Sequence, residues 1–430
     1  MNDVLVLGAG HVAAPLVRYL LEQEYTVTVA SRTVSKAEVL VEGFSKGTAR
    51  ELNTDDDDEL RKLVAEHRLA VSLLPYTIHG KVAKHCIAEG KHLVTTSYVS
   101  EEMKALDDDA KEAGIFIMME CGLDPGIDHM SAMKIIHQVE NAGGEVTSFE
   151  SYCGGLPAPE SNDNPWGYKF SWSPKGVLLA GKNSAKYLKN GEIIDIPSEE
   201  LFENNWSMEI EHLSLEAYPN RNSLPYKETY GLEDAETVFR GTLRYPGWCK
   251  TMKCMVDLGW LDDKEMDLSG MTYTDLMKDL AGDKKKTAEF LDVTVDSDPI
   301  KRMEWLGLFD DEQLPMESGS PIDVLVTRML ERMDYAEGEK DMIVLHHIFK
   351  AEYPAGTKTI TSTLIDKGVY GEETSMARTV ALPAAIATEM ILKGEITGSG
   401  VHIPVDENIY GPILEKLETE DIVFQEKFQG

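Results

Sequence analysis

The sequence is short of positive charge and of long apolar runs. Among its 430 residues, 42 are Lys or Arg and 75 are Asp or Glu, so the formal net charge at pH 7 is −33. Such a field repels nucleic-acid phosphates and anionic lipid surfaces, and we therefore expect no nucleic acid and no membrane among the partners. No apolar stretch approaches the roughly 18–20 residues that span a bilayer. An anionic small-molecule substrate has to be bound by local Arg, Lys or backbone N–H groups.

Cysteine is also scarce, with five residues and no C-x-x-C pair. A scattered, odd-numbered set predicts neither a disulfide framework nor a zinc site, and it favours a reducing compartment. The N-terminal segment, MNDVLVLGAG, lacks the basic start and the long apolar stretch of a signal peptide. We therefore predict a soluble, cytoplasmic protein.

No metal site is predicted. Residues 55–58 are all Asp and are interpreted as the solvated start of a helix, where acidic side chains favour the helix dipole. His346 and His347 are adjacent on a strand pattern, so they face opposite sides and cannot bind one ion together. Cys153 has no nearby His and is interpreted as a small apolar side chain rather than a nucleophile.

The first part of the chain alternates short apolar runs with amphipathic segments. This alternation is typical of right-handed βαβ units and a parallel sheet. Between helical segments, strands are predicted at residues 4–7, 26–30, 48–52, 69–74, 92–95 and 115–119. Six such strands make a doubly wound α/β domain.

The rest of the chain differs in pattern. Residues 145–153 predict a strand of a second sheet, and residues 248–335 are helical and acidic. Residues 341–349 and 357–364 alternate like an antiparallel hairpin. An apolar helix is predicted at residues 377–392.

A Gly-rich turn joins the first predicted strand to the first helix. Residues 8–13 read Gly-Ala-Gly-His-Val-Ala, which is G-x-G-x-x-A. The glycines allow a tight turn and let backbone N–H groups approach a pyrophosphate, and the helix N-terminus adds partial positive charge. With a strand before it and a second strand after the helix, the motif predicts dinucleotide binding. An ordinary tight turn is the alternative.

The end of the second strand indicates which dinucleotide binds. An NAD-binding chain carries an acidic residue there for the ribose 2′-OH, whereas this chain has Ser31-Arg32-Thr33. A guanidinium and two hydroxyls suit a 2′-phosphate, which a carboxylate would repel. The predicted cofactor is therefore NADP. Alternatively, Arg32 is a solvated side chain that stacks on adenine.

Polar residues also follow the fourth and fifth strands. Residues 74–76 (LPY) and 95–98 (TTSY) fall at the C-terminal ends of these strands, outside which open α/β sheets bind ligands. Their hydroxyls suit a nicotinamide, its ribose or a substrate carboxylate. Alternatively, the Ser and Thr residues at positions 95–100 cap the helix that starts at Glu101.

Three charged residues are candidates for substrate binding. Asp124 lies in a Gly-Leu-Asp-Pro-Gly segment, where it either forms a turn or holds a substrate ammonium. Arg221 and Arg244 stand in Pro- and Gly-marked segments. Each suits a substrate carboxylate, since guanidinium groups pair with carboxylates in bidentate fashion. In so acidic a chain, each can equally neutralise a neighbouring Glu.

Longer stretches are more specific than any Gly-rich turn. They read VLVLGAGHVAAP, VTVASRT, SLLPYTIH, KHLVTTSYVS, GLDPGIDHM, SYCGGLPAPESNDNPWGYKFSWSPKGVLL, AYPNRNSLPYKE and FRGTLRYPGW. In these stretches the chain resembles the saccharopine dehydrogenase family, most closely its glutamate-forming branch. Residues 198–213 and the acidic helical region match the family only loosely.

The resemblance implies a fold with three parts and a homodimer. A Rossmann dinucleotide-binding domain is expected at residues 1–122, closed by residues from about 385 to 430. An α/β substrate and dimerisation domain is expected at residues 123–247 and about 336–384. A helical insertion is expected between them in sequence, at residues 248–335.

The resemblance also implies an activity. It is an NADP-dependent oxidation of saccharopine to L-glutamate and L-2-aminoadipate 6-semialdehyde, or the reverse reduction of their imine, in lysine metabolism. Hydride transfer is the chemistry of the cofactor, and the protein contributes placement and electrostatics. Two alternatives remain: a reductase of another carboxylated imine, of the polyamine-forming type, and a non-catalytic NADP-binding scaffold.

Site residues are carried over by the same resemblance. Asp124 and Tyr98 are the candidate catalytic residues, by location. The implied substrate contacts are Ser97, Tyr98, Asp124, Arg221, Thr242, Leu243 and Arg244. The implied cofactor contacts are Gly8, Gly10, His11, Val12, Ser31, Arg32, Thr33, Leu74, Pro75, Thr96, Ser97 and Ser173.

Overall fold

A computed structural model describes residues 2–371 and 373–430 of the chain. Its internal contacts divide the chain into two compact units. The first consists of Met1–Glu145 and Glu372–Gln425, and the second of Val146–Gly371 and Glu426–Gly430. Each unit is α/β, which confirms the predicted fold class.

Strands and helices are numbered in chain order. The strands are β1 (Asn2–Leu7), β2 (Val27–Ser31), β3 (Gly47–Glu51), β4 (His67–Ser72), β5 (His92–Thr95), β6 (Phe116–Met118), β7 (Glu145–Pro157), β8 (Ala185–Lys189), β9 (Glu192–Ile196), β10 (Trp206–Ile210), β11 (Leu213–Pro219), β12 (Thr237–Arg244), β13 (Met266–Asp267), β14 (Ser318–Gly319), β15 (Lys340–Tyr353), β16 (Gly356–Val369), β17 (Gly400–His402) and β18 (Gln425–Gln429). The α-helices are α1 (Ala13–Glu22), α2 (Val34–Val41), α3 (Asp57–Glu66), α4 (Tyr76–Glu89), α5 (Glu101–Lys104), α6 (Asp107–Glu112), α7 (Ile127–Asn141), α8 (Pro174–Ala180), α9 (Pro225–Thr229), α10 (Trp248–Asp257), α11 (Tyr273–Leu280), α12 (Lys284–Phe290), α13 (Asp298–Leu306), α14 (Pro321–Met333), α15 (Ser375–Lys393) and α16 (Glu407–Thr419).

The first unit is built on a seven-stranded sheet in the order β17-β6-β5-β4-β1-β2-β3. Every pair in it is parallel. Central strands of a parallel sheet are covered by helices on both faces, which explains why Val4, Leu5, Val6 and Leu7 are all buried. The six predicted strands are present. The C-terminal part of the chain adds β17 beside β6.

The unit boundaries differ from those expected from the resemblance. Helix α7 follows residue 122 in the chain but packs against α16, within the first unit. Helix α15 starts before residue 385 and packs against α1, also within the first unit. Because these contacts are apolar and extensive, both helices group with the nucleotide-binding sheet.

Helix α15 is also long and apolar enough to cross a membrane, contrary to the expectation that no such stretch exists. Of its most apolar window, however, 83% is buried inside the protein. It packs there against α1, β4 and β5. A helix that is enclosed in this way belongs to a protein core.

The second unit is built on a nine-stranded mixed sheet. Its main order is β10-β11-β12-β7-β15-β16-β18, with β8 paired to β12 and β9 paired to β8. The predicted hairpin is the long antiparallel pair β15–β16, and β12 runs parallel to β7. Helices α10 to α14 fall in the segment that the sequence predicts to be helical. They share one core with the sheet, in which Trp166, Trp248 and Trp260 are fully buried.

Candidate active site

The turn after β1 has the geometry of a phosphate-binding loop. Gly8 has φ +110°, and a Cβ at this position would lie 3.1 Å from the carbonyl oxygen of Leu73. Only glycine therefore fits without strain. A Cβ at Gly10 would meet no described atom within 4 Å, so the space above the turn is open. Helix α1 begins at Ala13 with no side-chain cap and no acidic residue in its first turn, which leaves N–H groups for an anion.

The residues after β2 fit a phosphorylated ribose. Ser31 ends the strand and accepts a hydrogen bond from the backbone N–H of Thr33 at 3.4 Å. Arg32 and Thr33 are exposed. Among residues 2–371 and 373–430, no carboxylate forms an ion pair with Arg32, so its guanidinium is available for a 2′-phosphate. Together with the Gly8 turn, these residues fit NADP.

The ends of β4 and β5 are joined by a buried histidine that no sequence motif predicted. His79, on α4, is 2% exposed. Its Nδ1 lies 2.9 Å from Ser72 Oγ, and its Nε2 lies 2.8 Å from Ser97 Oγ and 3.1 Å from Thr95 Oγ1. Ser97, a predicted ligand contact, is thus fixed from behind by an imidazole ring.

The predicted N-caps before α5 are only partly present. Ser100 caps this helix, accepting a hydrogen bond from the N–H of Met103 at 3.2 Å. Thr95, Thr96 and Ser97 do not cap it. Of the other predicted cofactor contacts in this region, Pro75 is exposed, whereas Leu74 and Thr96 are half-buried.

The two candidate catalytic residues lie in direct contact. Tyr98 Oη donates a hydrogen bond to Asp124 Oδ1 at 2.7 Å, and both side chains are half-buried. The Asp124 loop is tight: the N–H of Gly122 donates to the carbonyl of Pro125 at 2.9 Å. A Cβ at Gly126, with φ +147°, would overlap the backbone of Gly122. The loop therefore aims Asp124 rather than leaving it mobile.

A buried carboxylate supports both sides of this pair. Glu120 Oε1 accepts a hydrogen bond from the N–H of Val99 at 2.8 Å, and its Oε2 lies 2.7 Å from His129 Nε2. Val99 follows Tyr98, and His129 lies in the first turn of α7, behind the Asp124 loop. Neither Glu120 nor His129 was predicted from sequence to have a role, although His129 lies in the GLDPGIDHM stretch.

In the second unit, Arg244 is a buried cation without a counter-ion. It is 6% exposed, and its guanidinium lies 5.0 Å from the Tyr168 ring and 5.5 Å from the Trp248 ring. One NH group donates to the carbonyl of Leu243 at 2.7 Å, whereas Nε has no hydrogen-bond partner. No described carboxylate forms an ion pair with it. An unpaired buried charge is costly, and an anionic group bound beside the guanidinium would offset that cost.

The neighbouring glutamate does not neutralise Arg244, which rules out one of the two interpretations of that residue. Glu216 lies opposite Arg244 in the β11–β12 register. Its carboxylate instead accepts hydrogen bonds from the backbone N–H groups of Gly247 and Cys249. Beside the guanidinium, the Trp248 Nε1 donor is also buried and has no hydrogen-bond partner among the described residues, and the Tyr168 hydroxyl has no acceptor among them. Neither was predicted from sequence to have a role, although they lie in the SYCGGLPAPESNDNPWGYKFSWSPKGVLL and FRGTLRYPGW stretches.

The remaining predicted contacts are less distinctive. Thr242 is half-buried on β12 beside Cys153 of β7, and Arg221 is exposed after β11 with φ +54°. The Leu243 side chain is fully buried in the core, so only its backbone is available to a substrate. Ser173 accepts a hydrogen bond from the N–H of Gly176 at 3.3 Å and caps α8.

The parallel sheet, the Gly8 turn and the Arg32 segment are typical of an oxidoreductase with a dinucleotide-binding domain whose ribose site suits NADP. Residues 4–118 match the family model of the saccharopine dehydrogenase NADP binding domain, and residues 122–423 match that of the saccharopine dehydrogenase C-terminal domain. The chain belongs to the saccharopine dehydrogenase family, and its cofactor is NADP.

Similar proteins support the assignment along the whole chain. The chain is 41% identical to the saccharopine dehydrogenase [NADP(+), L-glutamate-forming] of Schizosaccharomyces pombe, covering 99% of each. It is 39% identical to the mitochondrial alpha-aminoadipic semialdehyde synthase of Bos taurus, covering 98% of this chain and 47% of that protein. The apo structure of the L-Glu-forming saccharopine dehydrogenase from Saccharomyces cerevisiae matches with a TM-score of 0.93 at 41% identity, over 100% of both chains.

Proposed function

We propose that this protein interconverts saccharopine and NADP with L-glutamate, L-2-aminoadipate 6-semialdehyde and NADPH. The observation that carries the proposal is the buried Arg244, whose charge has no counter-ion in the described chain. In a chain of net charge −33, a cation is left unpaired in the interior only where a ligand supplies the anion. Saccharopine carries three carboxylates and therefore suits such a site.

Asp124 and Tyr98, in the first unit, suit an amine or ammonium group of a substrate. The Asp124 carboxylate attracts an ammonium group and stabilises positive charge on the nitrogen as an iminium develops. Tyr98 holds the carboxylate in place through its hydrogen bond to Oδ1. Asp124 need not accept a proton to act in this way. NADP supplies the hydride acceptor when it is bound.

The direct test is oxidation of NADPH by the purified protein with the semialdehyde and a series of amines. We expect turnover with L-glutamate and none with diamines. Turnover with a diamine but not with glutamate would support the polyamine-forming alternative. NADPH binding without turnover of any amine, and without saccharopine binding in calorimetry, would support the scaffold alternative. Either result would overturn the proposal.

We further propose that the protein acts in the cytoplasm as a homodimer. The five cysteines are all free, which fits a reducing compartment. The dimer is expected from the family resemblance. Light scattering coupled to size exclusion measures the oligomeric state directly, and a monomer at micromolar concentration would contradict this part.

A further inference from the structure

The imidazole of His79 connects the ends of two central strands. Ser72 ends β4, Thr95 ends β5, and both are fully buried, whereas Ser97 is half-buried beyond β5. Both ring nitrogens of His79 are hydrogen-bonded to these hydroxyls, at 2.8 to 3.1 Å. The Ser97 backbone is held as well, since its N–H donates to Thr95 Oγ1 at 3.3 Å and its carbonyl accepts from the N–H of Glu120 at 3.1 Å. Ser97 is therefore fixed in position by its surroundings.

His79 is neutral in this setting. Burial lowers the pKa of its imidazole to about 4. At neutral pH the ring therefore has one N–H donor and one acceptor nitrogen. Which nitrogen carries the proton is assigned by matching donors with acceptors in the surrounding network.

If Nε2 carries the proton, Ser72 donates to Nδ1 and the ring donates to Ser97 and Thr95. The Thr95 proton is then the one without a described acceptor. If Nδ1 carries the proton, it donates to Ser72, and Nε2 accepts from either Thr95 or Ser97. If Nε2 accepts from Thr95, the Ser72 hydroxyl proton is the one buried proton without a described acceptor. If Nε2 accepts from Ser97, two buried hydroxyl protons, those of Ser72 and Thr95, have no described acceptor.

Each buried donor without an acceptor is destabilising, so the arrangement in which Ser97 donates to the ring is the least stable. Of the two better arrangements, only the one with the proton on Nε2 makes a hydrogen bond to Ser97, because an unprotonated Nε2 that accepts from Thr95 would face the Ser97 oxygen at 2.8 Å with no proton between them. In that arrangement Ser97 accepts from the ring, and its own proton is not used within the described residues. Ser97 lies beyond the C-terminal end of β5, on the side of the sheet where doubly wound folds bind their ligands.

We propose that His79 is a positioning residue, which holds the Ser97 oxygen while leaving its proton to be donated to an oxygen atom of the bound ligand. This role of His79 rests on the proposed function, because the proposed reaction supplies the ligand that Ser97 contacts. The acceptor is an oxygen of either a substrate carboxylate or the cofactor. Both oxygens accept the same hydrogen bond. The Kd for NADPH reports on a cofactor oxygen, and KM for glutamate reports on a substrate oxygen.

A double-mutant cycle tests this role. Ser97→Ala removes the donor, and His79→Phe keeps a ring while removing both of its hydrogen bonds. We expect each change alone to raise either the Kd for NADPH or KM for glutamate about tenfold, as for loss of one hydrogen bond. The double variant is expected to show about the same tenfold rise, because both changes remove the same interaction. A rise in the Kd for NADPH assigns the acceptor to the cofactor, and a rise in KM for glutamate alone assigns it to the substrate.

His67 provides a matched control. His67 is 1% exposed, and its ring nitrogens are hydrogen-bonded to the carbonyl of Leu63 and the hydroxyl of Thr28. It lies at the N-terminal end of β4, whereas His79 contacts the residue at the C-terminal end. His67→Phe is expected to lower the melting temperature without changing either ligand constant. If His79→Phe does not fold, His79→Leu, which also removes both hydrogen bonds of the ring, is used in the same cycle.

A coupled effect in either constant supports the proposal. The proposal is overturned if the Kd for NADPH and KM for glutamate of the His79 variant both stay within twofold of wild type. It is also overturned if the double variant shows the product of the two single-variant effects, because independent interactions would give that result. A wild-type protein that does not act on saccharopine contradicts the proposed function instead. In that case the same cycle, measured on NADPH affinity, decides the role of His79 by the same two criteria.

Discussion

Two deeply buried charges, one in each unit, are treated in opposite ways. Glu389 of α15 is 2% exposed and accepts hydrogen bonds from Tyr19, Lys393 and Lys416 at 2.6 to 2.7 Å. Arg244 of β12 is 6% exposed and has no ion pair in the described part of the chain. The carboxylate is neutralised by the protein itself, whereas the guanidinium is not. Under the proposed function, the difference separates a charge that holds the fold together from one that binds a ligand.

The pKa of Glu389 reflects its pairing. Burial alone would raise the pKa of this carboxyl, but the hydrogen bonds from Lys393, Lys416 and Tyr19 outweigh burial and lower it to about 2. Glu389 thus favours the folded state in its charged form. Arg244 has aromatic rings around it instead of carboxylates, so its charge lowers stability until an anion binds.

The largest effect is expected for Arg244→Met, which keeps much of the side-chain volume but removes the charge. Substrate binding should weaken by about 2–5 kcal/mol, as for a broken buried charge pair, so KM for saccharopine rises by about thirtyfold or more. The melting temperature should stay the same or rise, because an unpaired buried charge is removed. Steady-state kinetics and thermal unfolding measure the two effects on one preparation.

A fall in melting temperature with an unchanged KM would contradict the contrast between Arg244 and Glu389. It would show that Arg244 stabilises the fold and binds no substrate. Affinity for NADPH serves as the internal control and is expected to stay within twofold of wild type.

The opposite pattern is expected for Glu389→Gln. The free energy of unfolding should fall by about 2–3 kcal/mol at pH 7, because the ionised form is the one that the folded state stabilises. KM for both substrates should be unchanged. Urea unfolding measures the loss, and Glu42→Gln, at an exposed position just after α2, is a control that should change little.

The stability difference between wild type and Glu389→Gln should also depend on pH. The folded-state pKa of Glu389 is about 2, below the usual value of 4.5. Its contribution is therefore complete above about pH 5 and is lost as the pH falls through about 2. Urea unfolding at pH 7 and pH 4 should show a smaller difference at pH 4. A difference that grows on acidification would refute the sign of this shift.

Asp124 is intermediate between Glu389 and Arg244, because it is half-buried and accepts a hydrogen bond from the neutral Tyr98. Asp124→Asn keeps an acceptor for Tyr98 but removes the charge. We expect kcat/KM for saccharopine to fall roughly 10- to 150-fold, which corresponds to about 1.5–3 kcal/mol of lost transition-state stabilisation. Tyr98→Phe removes the hydrogen bond and keeps the charge, so its effect should be smaller. NADPH affinity should be retained in both.

The two variants also separate electrostatic from proton-transfer roles. A general base would give kcat a pH dependence that disappears in Asp124→Asn, whereas a purely electrostatic carboxylate would not. Wild-type kinetics of Asp124→Asn at every pH would leave Asp124 as a turn residue only.

Much of the first unit could be predicted from sequence because its signals are local. β5 matches the predicted residues, and the other five strands differ by a residue or two at their ends, since a buried parallel strand is a short apolar run in any context. The Gly8 turn and the Arg32 segment are also contiguous in sequence. Their chemistry is therefore visible before the fold is known.

The supporting residues could not be predicted in this way. His79 contacts Ser97, which is 18 positions away, and its role depends on the pairing of β4 with β5. Tyr168 and Arg244 are on separate segments that only the fold of the second unit brings together. Whether a buried charge has a counter-ion is likewise a property of the folded chain, which is why the two interpretations of Arg244 stayed open until its surroundings were known.

The smallest effect is expected for Arg32, an exposed charge without an ion pair in the described residues. Arg32→Asp should lower kcat/KM with NADP about tenfold and narrow the preference over NAD, because a carboxylate repels the 2′-phosphate. Thr33→Ala, which removes only a hydroxyl beside it, should have a weaker effect. Equal kcat/KM of the wild type with both cofactors would show that this segment does not select NADP.

Ionic strength extends the Arg32 prediction into a comparison with Arg244. Charges in contact with solvent are screened by salt, over about 10 Å at 0.1 M and about 3 Å at 1 M, whereas buried charges are screened much less. Raising the salt concentration should therefore reduce the difference between wild type and Arg32→Asp. The difference between wild type and Arg244→Met, measured as KM for saccharopine, should change far less. If both differences fell in parallel, Arg244 would have to meet its substrate in solvent, and the buried, unpaired guanidinium would no longer account for substrate binding.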